Sequence, residues 1–141
     1  MNSSAPQIKR LNLRKASAEI RLAISVNGRS DEIRNDINIR YQVVKGENGA
    51  ADSLRISLIC DVHTDETADP DASGRFKANV GIIYEVILQG EYDHKYLDDI
   101  MHSVWPYLRS AAVHQLQLLD IPEISATLPF NIGPNADEVD Q

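Results

Sequence analysis

Residues 76 to 88 read Phe76-Lys77-Ala78-Asn79-Val80-Gly81-Ile82-Ile83-Tyr84-Glu85-Val86-Ile87-Leu88. Phe76, Ala78, Val80, Ile82, Tyr84, Val86 and Leu88 fall at every second position, the repeat of a half-buried strand. The other face mixes Lys77, Glu85 and Gln89 with Ile83 and Ile87, so it too carries apolar side chains. Isolated exposed apolar residues are ordinary, and a face that touches a partner would look the same. Both readings stay open at this point.

Three shorter alternations precede this strand. Ile8 to Val26 is extended, with Ile20, Leu22, Ile24 and Val26 in phase, and Asn27-Gly28-Arg29-Ser30-Asp31 supplies the turn after it. Ile37, Ile39, Tyr41 and Val43 follow, closed by Lys45-Gly46-Glu47-Asn48-Gly49. Leu54, Ile56, Leu58, Cys60 and Val62 make the third run, with Ile59 breaking its polar row. An acidic loop, 64–74, then leads to Phe76. Four consecutive strands joined by short turns imply an antiparallel sheet, and a meander is the simplest order.

Beyond Gly90-Glu91-Tyr92-Asp93 the period changes. Leu97, Ile100, Met101, Val104, Leu108, Ala111, Ala112, Gln115 and Leu119 share one side at helical spacing. Asp93 suits the N-cap, and Asp120-Ile121-Pro122 is the stop. Pro106 predicts either a kinked helix or two helices in succession. The expected fold class is therefore α+β: a four-stranded antiparallel sheet backed by one long C-terminal helix.

The chain has 141 residues, 43% of them hydrophobic and 25% charged, which suits one soluble globular domain. Net charge is -7, and its placement is uneven. Residues 1–44 hold eight Lys/Arg against four Asp/Glu, whereas the remainder holds six against seventeen. An acidic majority argues against a nucleic-acid surface, which needs clustered cations. Cys60 is the one cysteine, so no internal disulfide can form. The first six residues lack the apolar core of a signal peptide, and no apolar run reaches membrane-span length. The expectation is a cytoplasmic protein without membrane insertion.

Catalytic chemistry is hard to assemble from these residues. Cys60 lies in phase with the apolar side of its strand, as a buried small hydrophobe would. His94, Asp98 and His102 recur at i, i+4 and i+8, a loose spacing for zinc with no defined fourth ligand. Asp98 and Asp99 are adjacent and point about 100° apart on a helix, so they cannot share a proton. No phosphate-binding glycine loop and no nucleophile elbow occur. We expect a binding protein with no cofactor, no metal and no catalytic residues.

Val104-Trp105-Pro106-Tyr107-Leu108-Arg109-Ser110 resembles the helix opening of the export chaperone family SecB, where an aromatic-Pro-Tyr-x-Arg run leads the long helix. Pro122-Glu123-Ile124 and Leu128-Pro129-Phe130-Asn131 resemble that family's extended stretch after the helix. Tyr84-Glu85-Val86 with Gln89-Gly90-Glu91-Tyr92 resembles the end of its fourth strand, and Ile8-Lys9-Arg10-Leu11 the start of its first. The match spans roughly residues 8–131, in the family's order.

The resemblance implies a holdase that keeps unfolded or precursor polypeptides soluble and hands them to the SecA translocase, assembled as a homotetramer, a dimer of dimers. With the polar lead and the acidic, polar tail, the expected segments are a disordered lead 1–7, one SecB-like domain 8–132 and a disordered acidic tail 133–141. Candidate client-groove residues are Trp105, Tyr107, Tyr41, Val43 and Ile59; for the two aromatic residues of the helix, core packing is an equal alternative. The sheet face that docks on SecA in the family corresponds here to Glu19, Ile83 and Glu85. Two departures stand out. Lys15 replaces an acid on that face, and the Gly133-Pro134 tail is a poor substitute for the family's second helix.

Three alternatives compete. A dedicated chaperone for one client, such as an antitoxin of a toxin–antitoxin system, would share all these features. A small hotdog-like thioesterase would recruit Glu91, Asp93 and His94 beside the helix N-terminus. A purely structural subunit would use its apolar faces only for its own oligomer.

Overall fold

A computed structural model describes residues 7–23, 33–64, 76–119 and 136–138. The expected turn at 27–31, most of the acidic loop and the Pro122–Asn131 stretch lie outside the described residues. Four long strands form: β1 (Ile8–Ala23), β2 (Ile33–Val44), β3 (Ser53–Thr64) and β4 (Phe76–Leu88). A single 3-10 turn, His94–Tyr96, opens into α1 (Leu97–Gln117), and a short β5 (Ala136–Glu138) follows.

The sheet order is β1-β4-β3-β2-β5. β2, β3 and β4 form the expected antiparallel meander, but β1 does not join it beside β2. It pairs antiparallel with β4 instead, in a Greek-key arrangement. Placed second in the sheet, β4 is flanked by β1 and β3, and its Val80, Ile82, Val86 and Leu88 are buried. β5 is a further departure: three residues of the tail expected to be disordered run parallel to β2.

β1 carries three register shifts against β4, between Ile8 and Arg10, Leu13 and Lys15, and Ile20 and Leu22. Each inserts an extra residue and moves the side-chain alternation by one. Leu11 and Leu13 therefore share a face with Ala16, Ala18 and Ile20, although one set is odd-numbered and the other even. The bulge at Arg14 explains why the apolar rhythm of this strand changes phase in mid-sequence.

The β2–β3 connection is fixed by backbone geometry. Asn48 and Gly49 both take left-handed conformations, at φ 55° and 82°. Gly46 is required for another reason: a Cβ there would lie 1.9 Å from the carbonyl oxygen of Ala50.

α1 lies across β4 and β1. Its buried side is the expected apolar stripe, enlarged by Trp105 and Leu116. Asp93 serves as the cap, its carboxylate accepting the Lys95 N–H at 3.1 Å at the start of the 3-10 turn. α1 then runs unbroken through Pro106, which faces solvent. A proline inside a helix removes one backbone bond. The burial of Val104, Trp105 and Leu108 around it holds the helix together.

Candidate functional site

Alternation and helical periodicity distribute the five groove candidates over three places. Trp105 is 2% exposed and belongs to the core, which is the packing alternative for that residue. Tyr107, two residues on and about 200° round the helix, is 55% exposed. Tyr41 and Val43 lie on the core-facing side of β2, the first buried and the second half-buried. Ile59 is half-buried on the opposite face of the sheet, opposite Gly81 of β4 and Asn38 of β2. Among the described residues these five side chains do not share one place on the chain.

Tyr107 marks the open seam between α1 and β1. Two depressions flank it. One, of about 480 Å³, is lined by Ile8, Leu11, Ile100 and Tyr107 with polar Asp99 and Ser103. The other, of about 410 Å³, is lined by Leu13, Ala16, Tyr84, Tyr107 and Ala111. Burial pushes the Tyr84 phenol above its usual pKa, with Tyr107 close enough to add to the effect. The seam exists because β1 is an edge strand, and no described element lies beyond it to cover the apolar side chains of β1 and α1. Leu13 and Ile20, both about half exposed, are surface features that the alternation in β1 concealed.

The outer face of the sheet brings Glu19, Ile83 and Glu85 to one side of the β1–β4 pair. Its electrostatics differ from the acidic docking face that the family resemblance implied. Arg14, pushed out by the bulge, donates to Glu85 Oε1 at 2.5 Å, and Asn12 donates to the same oxygen at 3.4 Å. Arg14 holds the Glu85 carboxyl below its usual pKa, despite some opposing burial. Lys15 is the β1 partner of Ile83, Arg10 that of Ile87, and Arg55 of β3 that of Glu85. Around Ile83 the cations outnumber the acids.

The catalytic candidates separate. Cys60 is fully buried, and desolvation pushes its thiol to about 11. Such a thiol stays protonated at neutral pH and is a poor nucleophile. His94 sits in the 3-10 turn, not on α1, which takes it off the helical row of Asp98 and His102. His102 Nδ1 instead meets the backbone carbonyl of Asp98 at 2.7 Å. Among the described residues no three His, Cys, Asp or Glu side chains converge as metal ligands would. Of the acids near the helix N-terminus, Asp93 is used as the cap.

One charged residue with structural consequence was not singled out from the sequence. Asp52, 5% exposed at the entry to β3, accepts the N–H groups of Gly46 and Tyr92 and the Lys45 ammonium. It ties the β2–β3 turn to the segment leading into α1.

No family model and no curated protein sequence matches this chain. Among solved structures it is similar to the SecB-like chaperone Rv1957 of Mycobacterium tuberculosis, determined in complex with a ChAD peptide from the HigA1 antitoxin. The superposition has a TM-score of 0.56 and covers 92% of this chain and 90% of that one, at 11% identity. The fold is SecB-like. At this identity the likeness speaks to architecture alone. Among the described residues, the α1–β1 seam and the outer sheet face carry the exposed apolar side chains. Among the described residues, no helix is long and apolar enough to cross a membrane.

Proposed function

We propose that this protein is a holdase chaperone: it binds unfolded or precursor polypeptides and keeps them soluble, without turnover and without a cofactor. The observation that carries this reading is the SecB-like fold with unsealed apolar surface on an acidic body. Tyr107, Leu13, Ile20 and Leu118 all remain substantially exposed. Apolar burial stabilises a complex by about 25 cal/mol per Å² regardless of residue order, so such a surface accepts varied clients. Several weak patches on one oligomer then reinforce one another through effective concentration.

The α1–β1 seam suits a second copy of the chain. A long edge strand with exposed apolar neighbours invites pairing unless it is covered, and self-association covers part of it, leaving the remainder to a client. A homotetramer built as a dimer of dimers, in the cytoplasm, is the assembly we propose.

Two versions of the holdase differ in the fate of the bound client. The export version hands clients to SecA, and the dedicated version serves one client such as an antitoxin. The Arg14–Glu85 pair and the cations around Ile83 favour the dedicated version, because reversed charge weakens docking to a partner suited to an acidic face.

Aggregation of a heat-denatured model protein, followed with and without this chain while light scattering reports its mass, tests the proposal. Suppression near stoichiometric ratio by a stable oligomer is expected. A well-folded oligomer that leaves aggregation unchanged would exclude the general holdase and leave a purely structural subunit or a single-client adaptor. Added SecA should bind the loaded complex only if the export version holds.

A further inference from the structure

The outer face of the sheet carries Ile59, Ile83 and Ile87 half-buried among charged side chains. Strand register sorts these residues into rows that run across the strands. One row holds Lys15 of β1, Ile83 of β4, Ser57 of β3 and Arg40 of β2. Another holds Glu19, Asn79, Asp61 and Asp36 in the same strand order. Four residues separate the two along each strand, about 13 Å. Midway between them lie Ser17, Gly81, Ile59 and Asn38.

About this middle row the charges reverse. Lys15 stands two residues to one side of it and Glu19 two residues to the other. Arg40 and Asp36 do the same in β2, and in β4 Glu85 and Lys77 stand four residues either side of Gly81. A surface that changes sign about a line is complementary to itself, which is what a twofold interface requires.

A second copy laid face to face, with the twofold axis along the middle row, satisfies each of these charges. Lys15 meets Glu19 of the second copy, Arg40 meets Asp36 and Lys77 meets Glu85, each pair occurring twice. Ile59 lies on the axis and packs against itself, beside the small Ser17 and Gly81. Arg55 falls opposite His63, where Asp36 Oδ2 lies 2.8 Å from the ring and supplies an acid. The neighbouring arrangements fail. An axis along the strands sets Lys15 on Arg40 and Glu19 on Asp36, and an axis moved one row sets like charges on themselves. Such contacts are strongly disfavoured.

The dimensions allow it. Two sheets pack about 10 Å apart with strands within about 30° of each other, a gap that facing long charged side chains span. Four strands over nine residues present roughly 500 Å² on each copy, about 1,000 Å² for both, the lower end of a specific interface. Exposed ion pairs add little stability, so the isoleucines supply affinity and the charges fix the register. A uniformly acidic protein or a nucleic acid is repelled by Glu19, Asp36 and Asp61, and a basic one by Lys15, Arg40 and Arg55.

We infer that the outer sheet face is a twofold interface with a second copy of this chain, centred on Ile59 and Gly81. It gives the dimer of dimers proposed above its second interface beside the α1–β1 seam, and it rests on that assembly, not on client binding. A face closed in this way offers no dock to a translocase, in keeping with the dedicated version of the holdase.

Sedimentation velocity on the full chain, without client, tests it. Lys15→Glu and Glu19→Lys each set like charges together at two places, and each alone should weaken face-to-face association by at least about tenfold and halve the assembled mass. Mixed in equal amounts, the two variants bring opposite charges together at both places, and the mass should return. Ile59→Lys and Ile59→Glu should behave in the same way, each repelling itself on the axis and pairing with the other. High salt should weaken the wild-type assembly. Circular dichroism checks that every variant is folded.

Folded single variants with wild-type mass would overturn the interface, and so would a reduced mass that mixing does not restore. Variants that keep their mass but no longer suppress aggregation would assign the face to a client and overturn self-association there. Loss of the interface with aggregation suppression intact would leave the holdase reading standing, so the two fail separately.

Discussion

The carboxylate of Asp52 accepts the backbone N–H of Tyr92 at 2.7 Å, although 40 positions separate the two residues in the chain. The same side chain accepts the Gly46 N–H at 2.9 Å and the Lys45 ammonium at 3.1 Å. The β2–β3 turn, the start of β3 and the approach to α1 are thus fastened at one nearly buried point. The N–H of Gly46, then that of Tyr92, hold the Asp52 carboxyl below its ordinary value of 3.8 against the opposing effect of burial.

A depressed carboxylate gives this protein an acid-sensitive fastening. Its contribution is complete above the unfolded-state pKa, near 3.8, and disappears as pH falls through the lower folded-state value. Asp52→Asn should cost about 2 kcal/mol at pH 7, since hydrogen bonds to a charged acceptor contribute about 1.5–3 kcal/mol. Urea unfolding at pH 7 and at pH 3 should show the gap between wild type and variant narrowing in acid. A gap that stays constant would mean that the charge of Asp52 plays no part.

Trp105 and Tyr107 should behave as opposites. Trp105→Ala opens a cavity in the core and should destabilise by about 3–5 kcal/mol. Tyr107→Ala should change stability by under about 0.5 kcal/mol, as surface substitutions do. It should nonetheless lower the oligomer mass seen by light scattering if the α1–β1 seam holds a second copy. A stable Trp105→Ala variant would contradict the buried position of that ring.

Pro106 faces solvent in the middle of an unbroken helix, where it only weakens the backbone ladder. Pro106→Ala should therefore stabilise the protein, by up to about 3 kcal/mol on intrinsic helix preference. The urea midpoint should rise while the slope is unchanged. Loss of stability would show that the helix depends on a bend set by the proline.

Cys60 should resist thiol reagents in the native state. Raising its pKa from 9.0 to about 11 lowers the thiolate fraction near pH 8 by about a hundredfold, before burial is considered. Labelling should then follow unfolding and accelerate in urea. Rapid labelling without denaturant would place the thiol at the surface.

Much of this architecture is legible in the residues themselves. The alternations through Ile37–Val43, Leu54–Val62 and Phe76–Leu88 mark three strands. The change of period after Asp93 marks the helix, because side-chain direction repeats every two residues in one and every 3.6 in the other. The same reasoning places Cys60 in the core. It is less successful in β1, where the bulge at Arg14 exchanges odd for even positions, and no local pattern records a bulge whose cause lies in the partner strand.

The candidate site was less legible, for a geometric reason. Tyr41, Val43, Ile59, Trp105 and Tyr107 are all apolar or aromatic residues at faces or stripe edges, and composition alone does not say which faces meet. Trp105 went to the core because α1 settles on β4 and β1, which left Tyr107 over the open seam. Glu85 lost its value as an isolated acid because the bulge brings Arg14 across to it.

By itself the sequence determined four strands, one amphipathic helix and, except in β1, the side of each that is apolar, since these arise from short-range periodicity and turn chemistry. Only the tertiary structure decided that β1 lies against β4, that one edge of β2 carries residues 136–138, and which aromatic residues remain in solvent. Strand order and edge occupancy depend on contacts between residues far apart in the chain. Those contacts are selected by how whole faces fit together, and no local repeat encodes them.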